Sequence, residues 1–195
     1  MLDTHARRWV ETPIRQTAAL LLRWGLTPNQ VTVTAFLMGL AAGLLTYAQF
    51  TVIAVILLWF SGFLDAVDGS MARQSQRSTP WGTLLDITFD RIVELGIIIA
   101  LAARFPQHQF LLLLLTASIV FSMTIFLTVG ALSEKQGVKS FYYQAGLAER
   151  TEGFILFSLM ILFPDWLFWT TLLFLAVEVF TALQRMGEAR RMLHE

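Results

Sequence analysis

Apolar stretches of about membrane-spanning length follow one another along this chain, with gaps too short to hold a soluble domain between them. A helix needs roughly 20 predominantly apolar residues to cross the hydrocarbon core of a bilayer. Six segments meet that criterion, near 30–49, 51–72, 82–103, 109–132, 146–163 and 165–185. The breaks around Ala48–Thr51, Phe105–His108 and Phe163–Asp165 leave room only for tight turns, so the helices they join run antiparallel. The expected architecture is all-α: a polytopic membrane bundle of six transmembrane helices, forming one domain over residues 1–195. Charged residues make up only 14% of the chain, against about a quarter in a soluble domain, so most of its surface cannot face water.

The charges are informative through their placement. Net charge is zero, and nothing points to nucleic acid. Twelve of the fourteen Lys and Arg residues fall on one side of the bundle, namely Arg7, Arg8, Arg15, Arg23, Arg73, Arg77, Lys135, Lys139, Arg150, Arg185, Arg190 and Arg191. Arg104 alone lies on the other side, and Arg91 lies inside the third span. The positive-inside rule then puts both termini in the cytoplasm. Residues 1–24 lack the compact apolar core and small-residue cleavage site of a signal peptide. They instead read as a juxtamembrane amphipathic helix on the cytoplasmic leaflet, with Trp9, Val10, Ile14, Ala18, Leu21 and Leu22 at helical spacing and arginines around the rest of the circumference. Gly25 ends that helix, and Thr27-Pro28 opens the first span with a capping residue and a helix-initiating proline. The chain has no cysteine, which removes disulfides and thiolate metal sites.

Carboxylates inside membrane segments are costly and mark functional sites. Of six aspartates, Asp65, Asp68, Asp86 and Asp90 gather at the cytoplasmic ends of the second and third spans. Asp65 and Asp68 are three apart and Asp86 and Asp90 four apart, so each pair shares a helix face, and the segment from Arg73 to Gly82 is long enough to bring the two faces together. Four converging carboxylates repel one another unless hard dications with a preference for oxygen, such as Mg²⁺ or Mn²⁺, sit among them. Gly69 and Gly82 leave room for backbone or ligand, and Arg73 can grip a phosphate with two hydrogen bonds. Together these residues describe a diphosphate site. An ion-pair network with Arg73 and Arg91 is the plain alternative. Glu94, one turn beyond Asp90, either extends the site or pairs with Arg91, and the spacing favours the pair. Glu178, in the sixth span, has no evident role.

The run Asp65-x2-Asp68-Gly69-x2-Ala72-Arg73-x8-Gly82-x3-Asp86-x3-Asp90 resembles the signature of the CDP-alcohol phosphatidyltransferase family, and every fixed position of that signature is filled. The resemblance implies two Mg²⁺ or Mn²⁺ ions on Asp65, Asp68 and Asp86, with Asp90 as general base and possible second-ion ligand. It implies a nucleotide pocket formed by Asn29, Thr32, Asp65, Asp68, Gly69, Ala72, Arg73 and Gly82. The reaction it implies is transfer of a phosphatidyl group from CDP-diacylglycerol to a small alcohol with release of CMP, by a homodimeric enzyme of the bacterial inner membrane. Lys135, Lys139, Arg150 and Arg185 form a candidate acceptor pocket whose cations suit a phosphorylated polyol, although positive-inside bias alone would place some of them there.

Two rival readings remain at this stage. CDP-choline or CDP-ethanolamine could donate to diacylglycerol, which the compact length and short loops disfavour. A divalent-cation transporter would also carry intramembrane carboxylates, but its site is expected near the bilayer midplane and not at one face. The topology is open to direct test, because the chain is naturally free of cysteine. In intact cells an impermeant thiol reagent is expected to label Gln107→Cys and to miss Ser78→Cys. Labelling of Ser78→Cys from outside would overturn the orientation.

Overall fold

The computed structural model describes the backbone of residues 2–132 and 150–193. Among these residues all regular structure is helical: α1 (Leu2–Arg23), α2 (Pro28–Tyr47), α3 (Thr51–Gln74), α4 (Pro80–Arg104), α5 (Gln109–Leu132), α6 (Arg150–Leu162) and α7 (Leu167–Leu193), with 3-10 turns at Pro106–His108 and Pro164–Trp166. Four segments, containing α2, α3, α5 and α7, are long and apolar enough to cross a membrane. The third and fifth expected spans fall outside that group for different reasons. In α4, 25 residues long, the apolar run is interrupted by Asp86, Asp90, Arg91 and Glu94, whereas the described residues of the fifth expected span give α6 13 residues, Arg150–Leu162. The chain forms two compact units, Leu2–Pro106 and Gln107–Glu195.

In the first unit the local chemistry of the termini fixes where the helices begin. Thr27 caps α2, accepting from the Gln30 amide while the Gln30 side chain accepts from the Thr27 amide, and Pro28 fills the first helical position. Thr79 and Pro80 repeat the arrangement at α4, with the Gly82 amide donating to Thr79 Oγ1 at 3.1 Å. Both helices therefore start about two residues earlier than hydropathy alone indicates, because the caps are polar.

Three contacts show that α2 and α4 run parallel with α3 returning between them in sequence. Asn29 lies beside Gly82 near the start of both helices, Phe36 stacks on Phe89 at 4.1 Å, and the Arg104 guanidinium donates to the Thr46 carbonyl at 2.8 Å near the far end. Small residues permit this approach. A Cβ on Gly39 would collide with Val93, and one on Gly43 would lie 3.3 Å from the Gly96 backbone. Ser61 Oγ ties α3 to α2 by donating to the Ala35 carbonyl at 2.7 Å. Arg104, the lone cation expected on the far side, caps the end of α2 and also lies over the Phe105 ring at 4.9 Å.

α1 is helical as expected, but the second half of its apolar stripe has a protein partner. Ile14, Ala18, Leu21 and Leu22 pack with Phe63, Leu64, Val67 and Met71 of α3 and with Val31. Gln74 Nε2 donates to the Arg15 carbonyl at 3.2 Å, fastening the two helices at the end of α3. Gly25, at φ +80°, closes α1 with paired hydrogen bonds from Gly25 to Leu22 and from Leu26 to Leu21.

In the second unit α5 and α7 also run parallel. His108 and Phe168 meet at their starts, and Ile125, Val129, Ala182 and Ala189 form a shared apolar cluster further along. α6 packs on α7 through the edge-to-face pair Phe157–Phe174 at 5.0 Å, with Gly153 against the Phe174 ring.

Two outcomes are expected from this packing. Gly39→Val should lower the thermal midpoint in detergent, with a loss of about 1–3 kcal/mol from overpacking; an unchanged midpoint would mean that α2 and α4 are not in contact there. Gln49 occupies the left-handed region at φ 70°, at a helix end that glycine ordinarily fills. Gln49→Gly should accordingly stabilise the protein by about 1 kcal/mol, read in the same melt.

Candidate metal and diphosphate site

α3 and α4 each contribute one face to the site. Asp65 and Asp68 project from the last three turns of α3, and Asp86 from the second turn of α4. One carboxylate oxygen from each of the three lies within 4.8 Å of the others. Asp68 is buried, while Asp65 and Asp86 are half-buried. Asp90, one turn further along α4, is not a member of this trio; its charged neighbours are Asp86, Glu94, Arg91 and Asp68. The structure thus brings together three of the four expected aspartates as a potential ligand set and sets the fourth beside them.

The surroundings of Asp68 come from three elements. The Thr32 hydroxyl, which donates to the Pro28 carbonyl at 3.0 Å, lies beside the Asp68 carboxylate, as does the Gly69 amide. Arg73 is the nearest cation, and its Nη1 sits 3.4 Å from the position a Cβ on Gly69 would take. A Cβ on Gly82 would lie 3.2 Å from Asn29 Oδ1 and 3.3 Å from Thr79 Oγ1. Thr32, Gly69 and Arg73 therefore lie beside the Asp68 carboxylate, Asn29 lies beside Gly82, one turn before Asp86, and Ala72 is half-buried on the same turn of α3 as Arg73. Glu94 pairs with Arg91, as the spacing favoured. The Phe36–Phe89 stack borders Asp90 in sequence and joins α2 to α4; no periodic signal in the sequence distinguished it from lipid-facing aromatics.

The donor set fits a hard dication. Three carboxylates at such separation repel one another strongly without a counter-charge. Asp68 Oδ2 is buried and has no hydrogen-bond partner among the described residues. A buried acceptor left in that state is costly unless something coordinates it, and oxygen-only ligands suit Mg²⁺ or Mn²⁺.

The expected acceptor residues divide. Lys135 and Lys139 lie outside the described residues. Arg150 and Arg185 belong to the second unit. Arg185 is buried, donates to Ser122 Oγ at 3.3 Å and lies 5.2 Å over the Phe126 ring. Arg150 lies 5.5 Å over the Phe154 ring.

Metal binding gives the first test of the carboxylate cluster. Asp68→Ala is expected to weaken Mn²⁺ binding by more than about tenfold, followed by the electron paramagnetic resonance signal of the free ion. Equal affinity in the wild type and the variant would show that the cluster is not the binding site.

Residues 25–184 match the family model of the CDP-alcohol phosphatidyltransferases. Over 176 residues the chain is 30% identical to inner membrane protein YnjF of Escherichia coli, a match covering 85% of this chain and 84% of that protein. Over 170 residues it is 32% identical to the archaetidylinositol phosphate synthase of Methanothermobacter thermautotrophicus, covering 84% of this chain and 83% of that one. Among solved structures, phosphatidylinositol phosphate synthase of Mycobacterium tuberculosis with CDP-DAG bound aligns with a TM-score of 0.74 and 25% identity, over 90% of this chain and 92% of that one. The same enzyme in complex with manganese and citrate aligns with a TM-score of 0.74 and 26% identity, over 91% and 88%. An apolar helical chain with an acidic cluster at a helix pair and this set of relatives belongs to the CDP-alcohol phosphatidyltransferase family, and is an integral membrane transferase of phospholipid synthesis.

Proposed function

We propose that this enzyme transfers a phosphatidyl group from CDP-diacylglycerol to a phosphorylated alcohol, an inositol phosphate ahead of glycerol 3-phosphate, and releases CMP. The observation that carries the reading is the trio Asp65, Asp68 and Asp86, with an Asp68 oxygen that has no hydrogen-bond partner among the described residues and with Thr32, Gly69 and Arg73 beside it. The solved relative bound to CDP-DAG supports the donor, and the archaetidylinositol phosphate and phosphatidylinositol phosphate synthases among the relatives support the acceptor.

In this reading Asp65, Asp68 and Asp86 hold two divalent ions, Mg²⁺ or Mn²⁺, with Asp90 touching the second. When bound, such ions neutralise the diphosphate and the departing phosphate. Asn29, Thr32, Ala72 and Gly82 border the cytidine, the two small residues leaving it space, and Arg73 neutralises phosphate oxygens. Asp90 takes the proton from the acceptor hydroxyl. That oxygen bonds to the phosphorus bearing the lipid, and the bond from this phosphorus to the bridging oxygen breaks, freeing CMP. Arg150 and Arg185, with Lys135 and Lys139, hold the acceptor phosphate.

The remaining parts of the topology follow the same reading. α4 and α6 complete a six-span bundle, with the acids of α4 tolerated because they serve the site. The exposed side of α1 rests on the cytoplasmic leaflet while its other side packs on α3. Both termini and the site face the cytoplasm, and the enzyme works as a homodimer. A cation carrier would need none of the nucleotide-bordering residues, and a CDP-choline type of transfer would need no acceptor phosphate pocket.

The test is CMP release from CDP-diacylglycerol vesicles with inositol phosphate, glycerol 3-phosphate, inositol and serine as acceptors. A phosphorylated acceptor is expected to react at least about tenfold faster than its unphosphorylated counterpart, since an arginine–phosphate pair contributes on the order of a charge-assisted hydrogen bond or more. Serine or free inositol as the efficient substrate would refute the acceptor assignment.

A further inference from the structure

Both described arginines of the expected acceptor pocket rest on phenylalanine faces. Arg185 is only 9% exposed. Its Nη1 donates to Ser122 Oγ at 3.3 Å, and its guanidinium carbon lies 5.2 Å from the centre of the Phe126 ring. Ser122 and Phe126 are four residues apart on α5, so one face of that helix presents a hydroxyl and an aromatic face to the same side chain of α7. Arg150 has a similar support within α6, over Phe154 at 5.5 Å, again at a spacing of four.

An arginine carries about 2 kcal/mol of rotamer entropy, and a free one must lose that freedom when it grips a ligand. A ring face fixes the guanidinium plane through the cation–π attraction, which strengthens when the pair is shielded from water. The Ser122 hydroxyl then fixes rotation within that plane. The fork is thereby held ready for a planar, two-point match to phosphate oxygens. Bulk hydrophobic packing would need neither the ring nor the hydroxyl at this position. Leucine could fill the Phe126 site, and alanine could fill the Ser122 site.

We infer that Phe126 and Ser122 are positioning residues that pre-orient Arg185 for the phosphate of the acceptor, with Phe154 doing the same for Arg150, so that selectivity for a phosphomonoester acceptor is set in part by α5 and α6 side chains that never touch it. The inference rests on the acceptor reading given above, and adds to it the residues that hold the arginine forks.

The experiment measures KM for inositol phosphate, KM for CDP-diacylglycerol and the thermal midpoint in wild type, Phe126→Leu, Phe126→Tyr, Ser122→Ala, Phe154→Leu and Arg185→Ala. Phe126→Leu is expected to raise the acceptor KM about five- to twentyfold, with the CDP-lipid KM within twofold, because a shielded cation–π contact is of that order. Phe126→Tyr keeps the ring face and should restore the acceptor KM to within about twofold. Ser122→Ala and Phe154→Leu should raise the acceptor KM about threefold or more. If Arg185→Ala leaves the acceptor KM unchanged, the phosphate pocket itself is refuted and the supports fall with it. If Arg185→Ala raises that KM but Phe126→Leu and Ser122→Ala do not, the pocket stands and the supports are refuted. A rise in both KM values together, or a fall in thermal midpoint alone, would reduce these residues to ordinary packing and would overturn the inference equally.

Discussion

The close parallel approach of α2 and α4 is the constraint on which the site depends. Asn29–Gly82, Phe36–Phe89 and Gly43–Gly96 stand at one constant offset along the two helices, so the contact keeps its register from the capped starts to the glycine pair. Gly39 and Gly43 set its depth, and Arg104 closes the far end on the Thr46 carbonyl. With α2 and α4 fixed in this way, α3 is tied to α2 by the Ser61–Ala35 hydrogen bond, and its last turns meet the second turn of α4. The convergence of Asp65 and Asp68 with Asp86 is a consequence of this packing, because neither helix could gather those carboxylates alone.

A cluster of carboxylates beside an apolar segment works against stability. The scaffold therefore braces the helices that carry it. α1 covers the outer side of α3 behind the site through Ala18 and its neighbours, and Gln74 fastens the helix end to the Arg15 carbonyl. Arg91 pairs with Glu94, which leaves Asp90 between a balanced pair and the acidic trio. Asp68 Oδ2 has no hydrogen-bond partner among the described residues, and the coordination that a dication offers is a fitting use for it.

Much of this was legible in the sequence because its signals are local. The Asp65–Asp90 spacing, the Thr27-Pro28 cap, the Gly25 stop and the Arg91–Glu94 pair each involve residues within a few turns of one another, where helical periodicity fixes geometry. Asn29 and Thr32 enter the expected nucleotide pocket through family resemblance alone, and no periodic rule links them to Gly82 and Asp68, the residues they adjoin. The destination of the α1 stripe was less legible: amphipathicity identifies an apolar face but not what covers it, and part of that face belongs to α3. Hydropathy marks a third span over α4, yet Asp86, Asp90, Arg91 and Glu94 keep that helix out of the group apolar enough to cross a membrane. The supports of Arg185 were invisible, because Ser122 and Phe126 look like ordinary span residues until α5 and α7 are packed together.

In the proposed mechanism the aspartates of α3 and α4 carry phosphoryl transfer, with Asp90 removing the acceptor proton beside the other three. Single-turnover CMP release by Asp90→Asn, with CDP-diacylglycerol affinity measured on the same preparation, tests it most directly. The expected result is a fall of about 10²–10⁴ in the chemical step, the usual contribution of a general base, with donor affinity within about tenfold of wild type. Near-normal turnover by Asp90→Asn, or loss of donor binding in step with loss of rate, would contradict it.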